Sequence, residues 1–209
     1  MPQLTFYSNP MSRGRMAHWM LEELGEPYDT VWLDYGTTMK APEYLAVNPM
    51  GQVPAIRHGA VVVTEVAAIC AYLADQFPDK RLAPPPGHAA RAAYYRWMFF
   101  AAGPLEMAVT AKNLNWLVPE GKSGMVGYGS YADTMNALET ALAQGPWICG
   151  EQFSAADVYV GSGVSWGLMF GTVEKRPAFE AYAKRCQSRP AFLRAAQISE
   201  AVMQTNAKN

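Results

Sequence analysis

Apolar positions in the first eighty residues alternate between short runs and a helical period. Residues 3–7 (QLTFY) and 28–33 (YDTVWL) are rich in β-branched and aromatic side chains and predict strands. Between them, residues 12–24 place Met16, Trp19, Met20, Leu21 and Leu24 at helical spacing and stop at Gly25, a natural helix terminator. Strand, helix, strand in that order predicts a parallel pair joined by a right-handed crossover. Residues 53–57 and 60–63 flank His58-Gly59, a hairpin signal. A second helix is predicted over 65–77, with Val66, Ile69, Leu73 and Phe77 along one stripe. These elements make a small mixed sheet with helices packed on it.

Residues 79–86 (DKRLAPPP) read as a linker, because the run of prolines at 84–86 cannot sit inside a helix. The predicted organisation is an α/β domain over 1–78, this linker, and an all-α domain over 87–209. A long helix over 88–116 has Tyr94, Trp97, Met98, Ala101 and Leu105 as its apolar stripe, and Pro104 should kink it or end its first half. Further helices are predicted over 128–142, 179–189 and 190–203. Another starts at Ser154, where Asp157 can reach back to the cap's amide and Phe153 with Val158 can form a hydrophobic staple. That start reads as structural.

Composition narrows the function classes. Hydrophobic residues make up 50% and charged residues 17% of the 209, below the usual ~25% charged, which argues against disorder. Seventeen Lys+Arg against eighteen Asp+Glu leave a net charge of −1 with no basic block, so no nucleic-acid partner is expected. No apolar run is long enough to cross a membrane, and MPQLTFYSNPMS has no basic region followed by an apolar one, so neither a membrane partner nor a signal peptide is expected. Three separated cysteines, Cys70, Cys149 and Cys186, predict reduced thiols in the cytoplasm. His18, His58 and His88 do not group with them at metal-ligand spacing, so no metal is expected.

Three segments can carry chemistry. The loop SNPMSRGR leads from strand to helix, where free amides favour anions. Ser12 there is either a helix cap or a hydroxyl donor to an anionic group; Arg13 and Arg15 are either solvated charges or carboxylate clamps. In NPMGQVPA, Pro54 marks a sheet edge or a special turn. A trans edge is the commoner outcome, whereas a cis Val53-Pro54 peptide leaves Val53's backbone open to a peptide-like ligand. At Thr64-Glu65-Val66 a helix follows a strand directly, and Glu65 either complements the helix dipole or contacts a ligand.

Together these residues resemble the cytosolic glutathione transferase family. The resemblance spans essentially the whole chain: FYSNPMSRGR, NPMGQVPA, TEVAAICAYLAD, FSAAD and SRPAFLRA. It implies a thioredoxin-like first domain with a mixed four-stranded sheet, an all-helical second domain, a homodimer, and a cis peptide before Pro54. It also implies glutathione as co-substrate, with its thiolate attacking a hydrophobic electrophile or reducing a peroxide. Ser12 falls where many bacterial members carry cysteine or serine and is the first candidate to hold the sulfur, followed by Tyr7 and Asn9. Val53 is expected to pair with the cysteinyl amide, and Glu65, Val66 and Gln52 to meet the γ-glutamyl end. Lys40 or an arginine such as Arg13 is expected to meet the glycine carboxylate. Family members usually carry serine where Val66 stands, which keeps a non-catalytic glutathione- or ligand-binding module as the alternative. Phe99, Phe100, Gly103, Met107 and Trp116 are expected to line the electrophile pocket between the domains.

Overall fold

The computed structural model describes residues 4–206. Its packing divides the chain into two compact units. One takes in the described residues up to Lys80 together with those from Ser188 onward, and the other is Arg81–Gln187.

The first unit is built on a four-stranded sheet. Strands β1 (Leu4–Ser8), β2 (Tyr28–Trp32), β3 (Ala55–His58) and β4 (Val61–Thr64) lie in the order β2-β1-β3-β4. β1 runs parallel to β2 and antiparallel to β3, and β4 closes a hairpin with β3 through Gly59 and Ala60. Leu4, Phe6 and Ser8 are buried and alternate with half-buried Thr5 and Tyr7, as a strand covered more fully on one face requires. Each predicted strand is present, shifted by one or two residues; Gln3, the predicted start of the first, lies outside the described residues.

Helix α1 (Gly14–Leu24) makes the crossover from β1 to β2 and ends at Gly25, whose φ of 68° lets its N–H close onto Leu21 O at 3.0 Å. Ala17, His18, Trp19, Met20 and Leu21 are five consecutive buried residues. A helix buried all round cannot be satisfied by the sheet alone. Its second cover is α9 (Pro190–Asn206). The Phe192 ring meets Trp19 edge-on at 5.1 Å, and Arg189 grips Glu23 through two nitrogens at 2.5 and 2.7 Å. Arg194 Nε donates to Glu22 at 2.8 Å. The predicted division, with 87–209 as one helical domain, therefore differs from the observed packing: residues from Ser188 onward join the sheet-bearing unit. A short helix, α2 (Pro42–Leu45), and α3 (Val66–Gln76) complete this unit. The sequence pattern did not reveal α2, which is a single turn.

The second unit is helical. The predicted long helix is present as α4 (Arg91–Phe100) and α5 (Glu106–Asn113), separated by a five-residue π-helical turn, Ala101–Leu105, that contains Pro104. Proline lacks the N–H that the regular ladder needs, and the widened turn accommodates the break. Helices α6 (Tyr131–Leu142), α7 (Ala155–Phe170) and α8 (Pro177–Gln187) follow. α7 packs against both α4 and α8. Among the described residues no helix is long and apolar enough to cross a membrane.

Candidate functional site

The site is a cavity of about 330 Å³ in the first unit, walled by three loops that the sheet brings together. Ser12 and Arg13 come from the turn between β1 and α1, Lys40 from the segment after β2, and Gln52, Val53 and Pro54 from the entry to β3. Glu65 and Val66 come from the start of α3. Seven residues expected to bind the tripeptide (Arg13, Lys40, Gln52, Val53, Pro54, Glu65 and Val66) thus share one wall with Ser12, the first candidate for the sulfur.

Ser12 is 7% exposed, and its hydroxyl is engaged twice. Oγ donates to Asn9 O at 2.7 Å and accepts the Gly14 N–H at 2.9 Å. One oxygen thus accepts an amide at the start of α1 and lines the cavity. Asn9 is placed otherwise than as a sulfur ligand. Its Nδ2 donates to Leu33 O at 2.7 Å and its Oδ1 accepts the Met11 N–H at 2.8 Å, so its amide fastens the turn to the end of β2. Tyr7 also lies off the cavity wall. Its ring stands 5.7 Å from Tyr44 in the cluster of Leu33, Met39, Tyr44 and Ala55. Strand alternation decides this: Tyr7 points to the face opposite Phe6 and Ser8.

The Val53-Pro54 peptide is cis. The preceding carbonyl, Gln52 O, is held by Tyr44 OH at 2.6 Å and Asn48 Nδ2 at 2.8 Å. No loop or turn hydrogen bond of the described residues uses the Val53 backbone. Burial pushes the Tyr44 hydroxyl up to about 12, so it stays a proton donor throughout the neutral range. Asn48 orders the same loop, its Oδ1 accepting Met50 N–H at 3.1 Å. Lys40 Nζ donates to Met50 O at 3.0 Å, which lays a positive charge along the wall. Glu65 has φ 66° and ψ 125°, outside the regions that side-chain-bearing residues favour, at a cost of order 1–3 kcal/mol. The first amide of α3, on Val66, has no acceptor within the helix. Tyr35, Met39 and Asn48 also line the cavity, and sequence reasoning assigned them no role. Asn48 stood inside a quoted motif, whereas Tyr35 and Met39 carried no local signal.

Residues 11–76 match the family model described as glutathione S-transferase, N-terminal domain. The chain is 28% identical over 191 residues to glutathione S-transferase GstA of Escherichia coli O157:H7, covering 90% of this chain and 94% of that protein. It is 31% identical over 161 residues to glutathione S-transferase A of Pleuronectes platessa, covering 73% and 72%. The chain belongs to the glutathione S-transferase family. A solved glutathione transferase from Methylococcus capsulatus superposes with a TM-score of 0.79 at 29% identity, over 95% of this chain and 99% of that one.

The five residues expected at an electrophile pocket lie along α4, the π-helical turn, α5 and the segment after it. Phe99, Met107 and Trp116 are exposed, and the Phe100 ring packs edge-on against Trp97 at 5.0 Å. Trp116 lines a hollow of about 430 Å³ in the second unit with Leu117, Tyr128 and Tyr131, whereas Phe99, Phe100, Gly103 and Met107 do not line it. Among the described residues no group of His, Cys, Asp and Glu could hold a metal ion.

Proposed function

We propose that this transferase binds glutathione in the first-unit cavity and holds its sulfur as a thiolate through the Ser12 hydroxyl. The observation that carries the reading is the convergence of Ser12, a cation, the cis Val53-Pro54 peptide and a helix start on one wall. In this pose the tripeptide's cysteinyl amide pairs with the Val53 backbone as an added strand would. Its γ-glutamyl carboxylate meets the first amides of α3, with Gln52 and Glu65 toward its ammonium group. The glycine carboxylate lies toward Lys40 or Arg13.

The energetics follow from the resting bond. A free thiol ionises near 8.5, which leaves about 3% thiolate at pH 7. Turning the Ser12 proton from Asn9 O to a thiolate exchanges a neutral bond of about 0.5–1.5 kcal/mol for a charged one of about 1.5–3. The helix start adds about 0.3–1 kcal/mol. The difference lowers the thiol by about one to two pH units, raising the thiolate to roughly a quarter to three-quarters at pH 7. Oγ keeps the Gly14 N–H throughout, so only the proton moves. The thiolate then forms a bond to an electrophilic carbon and displaces its leaving group or opens its ring. With a peroxide it takes one oxygen, releasing the alcohol and a sulfenic acid that a second glutathione converts to disulfide and water.

We further infer a homodimer, the usual assembly implied by the resemblance, acting in the cytoplasm, which the three free cysteines support. The test is Ser12→Ala. The ultraviolet absorbance of bound thiolate should then titrate about one pH unit higher, the hydroxyl's share of that shift. An unchanged titration with glutathione still bound would remove Ser12 from the role, and binding without turnover of any aryl halide, epoxide, isothiocyanate or peroxide would favour the non-catalytic module.

A further inference from the structure

We propose that Gly14 is a positioning residue for the Ser12 hydroxyl, and that its missing side chain is what lets that hydroxyl give its proton only to the cavity ligand or to Asn9. The proposal rests on the reading of Ser12 above. Gly14 opens α1 without a positive φ, so no backbone conformation calls for glycine there. A helix position of this kind ordinarily favours alanine, and glycine interior to a helix costs up to about 1 kcal/mol. Space explains the choice. A Cβ on residue 14 would stand 2.1 Å from Ser8 Oγ, 3.2 Å from Ser8 Cβ and 2.9 Å from Ser12 Oγ. The clash with Ser8 Oγ involves that side chain alone, but the 2.9 Å contact is with Ser12 Oγ itself, and relieving it parts that oxygen from residue 14 and its amide.

That amide matters because a hydroxyl has one proton and two lone pairs. The Gly14 N–H at 2.9 Å occupies a lone pair, and Asn9 O at 2.7 Å takes the proton at rest. Oγ is thus pinned from the helix side while the O–H remains free to swing about its own bond. An N–H donated to Oγ also polarises the O–H and makes it a better donor. Losing the pin should therefore weaken the hydrogen bond to the thiolate without removing the hydroxyl.

The experiment titrates bound glutathione by thiolate absorbance in five proteins: wild type, Ser12→Ala, Ser8→Ala, the pair Ser8→Ala with Gly14→Ala, and that pair with Ser12→Ala added. Ser8→Ala removes the 2.1 Å clash and serves as the background, with Ser8→Gly as a roomier companion if the pair folds poorly by thermal unfolding. Gly14→Ala in the Ser8→Ala background should raise the titration midpoint by about 0.1 to 0.7 pH unit, because the N–H is bonded in both protonation states and only its polarisation of the O–H counts. The triple variant should titrate with Ser12→Ala and no higher. If Ser12→Ala shifts the midpoint and the Gly14 pair does not, this proposal falls while the role of Ser12 stands. If Ser12→Ala itself shifts nothing, the role of Ser12 falls and takes this proposal with it. A triple variant that titrates well above Ser12→Ala would show Gly14 acting elsewhere, and would overturn it too. A measurement free of residue 14 substitutions is amide hydrogen exchange: the Gly14 N–H should exchange faster in Ser12→Ala than in wild type, and equal rates overturn the proposal.

Discussion

Two helices in this protein have a buried serine at or just before their start, and they use it differently. At α7, Ser154 is closed into a saturated network. Asp157 Oδ2 accepts the Ser154 N–H at 2.9 Å, and Oδ1 accepts Ile148 N–H at 2.7 Å and Tyr182 OH at 2.8 Å. Asp157 is fully buried, and that burial raises its carboxyl above the usual range despite the donors around it. At α1, Ser12 makes two neutral bonds, keeps one of them rotatable and faces a cavity. Both serines satisfy orphan groups near a helix start. What separates them is what covers the start. A start enclosed by packing becomes a rivet, while one left open to a hollow retains a proton it can redirect.

The contrast breaks most visibly at the rivet. Asp157→Ala leaves four buried donors without this acceptor and should cost more than about 3 kcal/mol, read as a loss of denaturant midpoint. A cost under 1 kcal/mol would mean the network contributes little. Acid should probe the other unit next. His18 Nε2 lies 2.9 Å from Tyr28 OH, and Tyr28 OH donates to Glu22 Oε1 at 2.6 Å, which assigns the ring proton to Nε2. Burial holds His18 at about 4 against an ordinary 6.5, with Glu22 opposing and Arg15 adding to the effect. The folded form resists protonation, so stability is full above pH 6.5 and falls as pH drops toward about 4, by up to about 1.4 kcal/mol per pH unit. Unfolding midpoints at pH 7 and pH 5 should show this loss, and His18→Gln should flatten it.

Smaller effects sharpen the comparison. Ser12→Ala should cost about 0.5–2 kcal/mol of stability, the ordinary value of a cap, while its main consequence falls on the bound thiol. Smallest should be Ser130→Ala at α6, where Oγ accepts the Asp133 N–H at 3.1 Å on an exposed turn. About 0.5 kcal/mol is expected there, measured by thermal unfolding, because solvent replaces the lost acceptor.

Much of the site was legible because its parts are local. Strand-then-helix junctions at Ser12 and Glu65, and a proline interrupting a sheet-forming run at Pro54, are signals a few residues long. The capping pair Ser154 and Asp157 is legible for the same reason, both members lying within one helical turn. The roles of Asn9 and Tyr7 were not. Asn9 is drawn to Leu33, 24 residues on, and Tyr7 to Tyr44, and nothing beside them in the chain announces either partner. Phe99 and Met107 entered as pocket linings only through the family resemblance, and both are exposed.

By itself the amino-acid order determined the periods, the breaks and the residue types at each junction, since these depend on backbone geometry over three or four positions. Only the folded molecule decided that the last helix would cover α1. His18 meets Ser199 across 181 residues and Glu23 meets Arg189 across 166, contacts that exist because a helix buried over most of its circumference needs a second wall and α9 supplies it.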